Sequence, residues 1–297
     1  AVDYVNLAPP ETFRRLFENQ EFDIAEMSFS TYLLTRTRFQ FPYTAVPVFL
    51  SRVFPHSSIY IRTDRGIQSP EDLKGRSIGI PNYHFTRGLC VRGMLSDEYG
   101  LANEEIHWRL GGIDAPGGLQ YLPIDPPDGV DVQPIAPGQS LGAMLGLGEI
   151  DAIMSPEHPP EFAAGDPRIR RLFADARAEQ VGYFKKTGIY PITHLVVMHE
   201  KLTRQEPWVA ERLVVAFREA QRLTDAYYNE TPKRLSLPGA AFIVEEERRD
   251  YGPEPWSHGL AGNEANVETF VRYTKEQGYI DEIIPIENFF APNTLDV

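Results

Sequence analysis

Phe22–Leu34 reads FDIAEMSFSTYLL. The run from Phe22 to Met27 has the look of a buried strand, a helical pattern begins near Phe29, and the junction carries Glu26, Ser28, Ser30 and Thr31. A strand that turns straight into a helix is the unit from which α/β folds are built. Open α/β sheets place ligands at such junctions, because the first N–H groups of the helix lack intrahelical partners and the dipole favours an anion there. Ser28, Ser30 and Thr31 are therefore candidates to add hydroxyl donors to a bound carboxylate. The plainer reading is that Ser28 or Ser30 only caps the helix. Glu26 is harder to dismiss, since an acid beside an anion site repels the ligand unless it is protonated, paired or used to hold a hydroxyl.

Outward from this stretch, strand-like runs alternate with helical ones. AVPVFLSRVF (45–54), SSIYIR (57–62), RSIGIP (76–81) and THLVVMHEKL (193–202) read as strands. SPEDLKG (69–75) reads as a short capped helix with Ser69 at the cap, Pro70 at the first position, Glu71 and Asp72 on the dipole and Gly75 at the end. HFTRGLCVRGMLSDEYG is a helix closed by Gly100, and LGAMLGLGEIDAIMSP is helix, turn and strand. The Gly- and Pro-rich stretch 111–140 is loop with a strand or two embedded. PWVAERLVVAFREAQRLTDAYYNE is a long amphipathic helix, and ANVETFVRYTKEQGYI forms a helical tail. The chain opens at Ala1-Val2-Asp3, without Met and in a strand-like pattern, so residues upstream are expected.

Composition bounds the function. With 297 residues and 42% hydrophobic content the chain can bury one large core or two moderate ones, so a soluble two-lobed protein is expected. Lys and Arg number 29 against 42 Asp and Glu, and no basic block tracks a phosphate backbone, which argues against a nucleic-acid partner. The single cysteine, Cys90, excludes a disulfide framework and cysteine-rich metal sites, and suits a reducing compartment. No apolar run is long enough to span a bilayer, so no membrane partner is expected.

The order of elements is similar to the type 2 periplasmic-binding-protein architecture, an α/β fold of two lobes with a ligand cleft between them. The segments EFDIAEMSFSTYL, FPYTAVPVFLSRVFPHSSIYIRTDRGI, GEIDAIMSP and TGIYPITHLVVM resemble the 4,5-dihydroxyphthalate decarboxylase family more specifically, from about Tyr4 to Phe290. The resemblance implies a discontinuous first lobe, 1–66 with 189–297, a second lobe, 67–188, and lobes that meet at strands near Tyr60 and Val196. It also implies a missing first strand.

Further candidates lie at other element ends. SRVFPHSS puts Arg52 and His56 four residues apart; arginine grips a carboxylate with two parallel hydrogen bonds, whereas the plainer reading is a salt bridge and a satisfied core histidine. IPNYHFTRG places His84, Thr86 and Arg87 at a second strand-to-helix junction, where Asn82 or Thr86 could be merely the cap. Ser155, Glu157 and His158 end another strand; Tyr190 and His194 open the return strand. None of the seven histidines falls in an HxH or HExxH spacing, so no metal is expected, and there is no dinucleotide, Walker or nucleophile-elbow motif.

The resemblance implies loss of CO2 from a hydroxylated aromatic dicarboxylic acid without an organic cofactor. Arg52 is then expected to grip the spectator carboxylate, helped by Ser28, Ser30, Thr86, Arg87 and Ser155. His56 or His194, and after them His84, would protonate the ring carbon, with Glu26 or Tyr190 holding the hydroxyls. His107, His199 and His258 look peripheral. The expected partner is a small aromatic carboxylate, the location cytoplasmic, and a homo-oligomer is compatible with the sequence. The rival reading is an extracytoplasmic solute-binding protein that delivers a small acid to a transporter; a signal segment in the full-length chain would favour it.

Overall fold

The computed structural model describes residues 2–118, 122–230 and 236–297, so Leu119–Tyr121 of the Gly- and Pro-rich stretch lie outside the described residues. Among the described residues nine strands run in chain order: β1 Ile24–Ser28, β2 Tyr43–Arg52, β3 Ile59–Arg62, β4 Ser77–Ile80, β5 His107–Leu110, β6 Val132–Pro134, β7 Ala152–Met154, β8 Ile169–Arg171 and β9 Ile192–His199. They form two sheets in two compact units. One unit comprises residues 1–52, 181–269 and 284–297, the other 53–180 and 270–283. The chain thus changes unit at Arg52/Val53, Gln180/Val181, Thr269/Phe270 and Ile283/Ile284. These divisions differ from the expected 1–66, 67–188 and 189–297. Tyr60 and Val196 are not crossing points: Tyr60 pairs within the second unit's sheet and Val196 within the first's.

In the first unit β9 is the central strand of an antiparallel sheet ordered β1-β9-β2. Val46, Val48, Val196 and Met198 pack against Ala210 and Val214 of the helix Trp208–Glu230. Each such side chain taken fully out of water contributes ~1.5–3 kcal/mol, enough to fix which way β9 faces. Tyr32, on the helix Phe29–Arg38, accepts the Ala45 N–H at 3.1 Å and donates to the Phe289 carbonyl, tying that helix to β2 and to the C-terminal segment. Residues 2–8 form no strand; the expected opening strand is replaced by a helix, Pro9–Asn19, with proline at its start.

In the second unit the order is β6-β5-β4-β7-β3-β8, parallel from β6 to β7 and antiparallel at β3 and β8. Tyr60, Leu141, Leu145, Ile150 and Ile153 form a core on this sheet. The turn Pro70–Leu73 is capped as the sequence implies, with the Ser69 N–H donating to Asp72 Oδ2 at 3.0 Å. The helix Thr86–Tyr99 ends at Gly100, whose φ of 64° explains why a glycine sits there.

Candidate functional site

Strand alternation puts Glu26 and Ser28 on one face of β1. The pairing of β1 with β9 sets Ser28 directly across from His194, with Glu26 across from Val196. Glu26 and His194 are therefore diagonal neighbours on one face, and Nδ1 of His194 lies 2.6 Å from Oε1 of Glu26. A carboxylate only accepts, so Nδ1–H donates and Nε2 is the nitrogen left to act. Both side chains keep about a quarter of their surface exposed, 24% and 29%. Phe13, from the helix Pro9–Asn19, meets the imidazole edge-on at 5.1 Å and helps hold the ring.

Ser28 occupies the N-cap position of the helix Phe29–Arg38, yet its side chain makes no capping bond; its hydroxyl is 3.3 Å from that of Ser30. The plain cap reading therefore does not account for Ser28. Ser30 and Thr31 are buried in the first turn.

Arg52 is buried and bound to protein groups. Nη1 donates to the Tyr190 carbonyl at 3.0 Å, and Nη2 to the Ser257 carbonyl at 3.0 Å and to Asn263. Its guanidinium also lies over the rings of Phe49 and Tyr190, 5.2 and 5.7 Å away. Burial brings its pKa down to about 10. Of the three nitrogens, only Nε is left without a hydrogen-bond partner among the described residues. The geometry is that of an internal brace, in contrast to the expected carboxylate grip. Tyr190 is fixed from both sides, since its N–H donates to Asn266 at 2.8 Å while its carbonyl takes Arg52. Burial pushes its phenol up to about 12.

His56 and His84 sit in the second unit, each 2% exposed, and burial lowers both to about 4. At neutral pH they carry no transferable proton beyond that of a neutral imidazole, which sets them apart from the role expected of them. His84 takes the second place of a tight turn, its N–H donating to Asn82 Oδ1 at 2.9 Å. The N-cap of the following helix is Phe85, so neither Asn82 nor Thr86 holds that position; Thr86 is the first helical residue and is buried. Arg87 donates to the Pro156 carbonyl at 2.9 Å. Ser155 accepts the Glu157 N–H at 3.0 Å and so shapes the turn after β7.

Of the other histidines, His107 pairs with Asp131 at 2.7 Å on an exposed edge, and His199 accepts the Lys201 N–H at 3.1 Å. His258, expected to be peripheral, is buried and accepts the Phe49 N–H at 3.1 Å. Burial likewise raises the Cys90 thiol to about 12. Among the described residues no group of three or more His, Cys, Asp and Glu side chains is arranged to hold a metal ion, and no helix is long and apolar enough to cross a membrane. A cavity of about 470 Å³ in the first unit, lined by Asp225, Tyr228, Ile243, Glu247 and Arg248 among others, contains none of the candidate residues.

The structure thus brings Glu26, Ser28, Ser30 and His194 together on one unit, and Arg52 with Tyr190 beside β2. It keeps His56 and His84 inside the other unit. Arg171, directly opposed to Tyr60 across β8 and β3, has no role in the sequence reading, and Tyr60 has none there as a site residue. The alternation in SSIYIR, which sets Tyr60 apart from its neighbours, was the available signal.

Residues 2–114 match the family model described as "ABC transporter, phosphonate, periplasmic substrate-binding protein". The chain is 34% identical to a 4,5-dihydroxyphthalate decarboxylase of Comamonas testosteroni, over 97% of this chain and 88% of that one. It is 38% identical to a 4,5-dihydroxyphthalate decarboxylase of Pseudomonas putida, over 60% of this chain and 69% of that one. Among solved structures, the periplasmic aliphatic sulphonate binding protein SsuA of Escherichia coli superposes with a TM-score of 0.54 at 14% identity, covering 98% of this chain and 86% of that one. That likeness establishes the fold, the periplasmic-binding-protein α/β fold expected from the sequence.

Proposed function

We propose, from the premise that the chain belongs to the family of 4,5-dihydroxyphthalate decarboxylases, that it is a carboxy-lyase acting on a hydroxylated aromatic dicarboxylic acid such as 4,5-dihydroxyphthalate. The observation that carries the mechanism is the His194–Glu26 pair, a partly exposed imidazole oriented by a carboxylate at 2.6 Å. His194 is the proton donor: Nε2–H of the imidazolium delivers its proton to the ring carbon that bears the departing carboxylate. The hydroxyl para to that carbon stabilises the cationic ring. The bond to the carboxylate then breaks, its electron pair restores the aromatic ring, and CO2 leaves. One proton is consumed, no electron is exchanged with an outside group, and the ring itself serves as the electron sink. Solvent reprotonates His194.

Glu26 is a positioning residue for this step, since it holds Nδ1 and so directs Nε2. Ser28, across from His194, and the N-terminal turn that follows it supply donors to the spectator carboxylate. The departing carboxylate is held less firmly, because strong binding of that charge would stabilise the ground state over the transition state. Arg52 acts at one remove by fixing the Tyr190 backbone. The partner this reading requires is a small aromatic carboxylate, and residence in the cytoplasm goes with it; fractionation of cells expressing the native chain checks the location.

The test is incubation of the full chain with a panel of aromatic dicarboxylates while released CO2 is followed. Equimolar CO2 from 4,5-dihydroxyphthalate and none from phthalate, which lacks the para hydroxyl, is expected. Tight binding of either acid with no CO2 released would favour the solute-binding reading instead.

A further inference from the structure

We propose that Arg171, Arg87 and the Tyr60 hydroxyl form a carboxylate-recognising site on the second unit, walled by aromatic rings, that takes an aromatic carboxylic acid. The pairing of β3 with β8 sets Tyr60 directly opposite Arg171, and Arg171 hydrogen-bonds the phenol. Arg87, at the start of the helix Thr86–Tyr99, acts on that phenol as a second charge at longer range. The Tyr60 side chain is buried, 2% exposed, so its hydroxyl is largely desolvated beside Arg171.

Among the described residues, neither of these two arginines is neutralised by an anion of the protein. Elsewhere in the same unit Arg62 pairs with Asp64, Arg168 with Asp166, and Arg65 with Asp151. Among the described residues neither Arg87 nor Arg171 has a carboxylate within ion-pair distance; Glu157 acts on Arg87 only at longer range. The Nε of each is buried and has no hydrogen-bond partner among the described residues. Arg87 spends Nη1 on the Pro156 carbonyl, and Arg171, besides the Tyr60 phenol, has its Nη2 3.3 Å from Nε2 of His158. A guanidinium can only donate, so His158 accepts with Nε2. Two partly buried like charges near one phenol are unfavourable unless an anion joins them. The unpartnered Nε on each leaves donors that a carboxylate from outside can take.

The walls indicate what accompanies the charge. The Arg171 guanidinium lies over the Phe162 ring at 5.2 Å, and Phe162 meets Tyr60 at 4.9 Å and His158 at 5.5 Å. Planar guanidinium forks match a carboxylate, and rings at these distances favour an aromatic body over an aliphatic one. The identity of the acid rests on the decarboxylase reading; the presence of the site does not.

The probe is phthalate, an aromatic dicarboxylate without ring hydroxyls, titrated calorimetrically into the full chain. Arg171→Met and Arg87→Met should each weaken its binding by at least about tenfold, as expected for loss of a charge-assisted pair. Tyr60→Phe should weaken it by a few-fold, and the neutral dimethyl ester should not bind the parent. Arg171→Lys, which keeps the charge and loses the fork, covers the case in which the methionine variant does not fold. Parent-like phthalate affinity in folded Arg171 variants, or no phthalate binding by the parent, would overturn the proposal. Release of CO2 from 4,5-dihydroxyphthalate by the parent, measured alongside, separates the two claims. If phthalate binding depends on Arg171 but no CO2 appears, the site stands and the decarboxylase reading falls; with CO2 released and Arg171 irrelevant, the reverse holds.

Discussion

Nδ1 of His194 and Oε1 of Glu26 are 2.6 Å apart although 168 positions separate them in the chain. Only the antiparallel register of β1 on β9 makes them neighbours. If Glu26 orients the imidazole and does not itself touch substrate, Glu26→Gln should lower kcat by about ten- to a hundredfold and leave KM nearly unchanged. Steady-state kinetics on the purified variant decides this: a raised KM at constant kcat would move Glu26 to substrate binding.

Arg52→Met should destabilise the fold by about 2–4 kcal/mol, because it strips the Tyr190 and Ser257 carbonyls and Asn263 of their donor inside the first unit. Urea denaturation monitored by circular dichroism measures the loss. A variant with parent-like stability and no affinity for the substrate would restore Arg52 as the carboxylate grip.

Stability should fall as pH drops from about 6.5 towards 4. His56, His84 and His258 are held neutral in the folded state at about 4, each chiefly by burial, whereas an unfolded histidine titrates near 6.5. Below 6.5 the unfolded chain binds more protons than the folded one, so the stability present above that pH is lost on acidification, by about 1 kcal/mol per pH unit for each histidine. Carboxylates such as Asp166, held at about 2 by Arg168, act in the same direction only at lower pH. Denaturation midpoints at pH 7, 6 and 5 test this; constant or rising stability on acidification would contradict it.

Gly93→Ala sets two effects against each other. Alanine favours the helix by about 1 kcal/mol, but a Cβ there would stand 2.4 Å from the Tyr273 ring. The atoms met are at the base of the ring, and the far end is held by the Tyr273 hydroxyl on Asp97 at 2.8 Å. Overpacking should win, with a net loss of about 1–3 kcal/mol in the second unit. A stabilised variant in thermal melts would show that Tyr273 yields.

The sequence disclosed what depends on neighbours in the chain. The strand entering a helix at Ile24–Arg38, the capped turn at Ser69, the stop at Gly100 and the long helix from Trp208 all follow local rules of periodicity and capping. The helix Pro9–Asn19 has its own signal in two prolines followed by Glu11, whereas the strand-like pattern at Ala1-Val2-Asp3 precedes it. β8 is only three residues, IRR, too short to show alternation, and Arg171 went unnoticed with it. The site depended on pairing. Glu26 and His194 were each legible as candidates, while their contact is set by a register that no local spacing encodes. The fate of Arg52 likewise turned on Asn263 and Ser257, more than 200 residues away.

The central claim is that His194 delivers a proton to the ring carbon. Single-turnover reaction of 4,5-dihydroxyphthalate in deuterium oxide, with the parent and with His194→Gln, tests it most directly. The account predicts a deuteron at the carbon vacated by the carboxylate and a solvent isotope effect in the parent. It also predicts a rate at least ~100-fold lower in the variant, with phthalate still bound. A variant that turns over within a few-fold of the parent would contradict it.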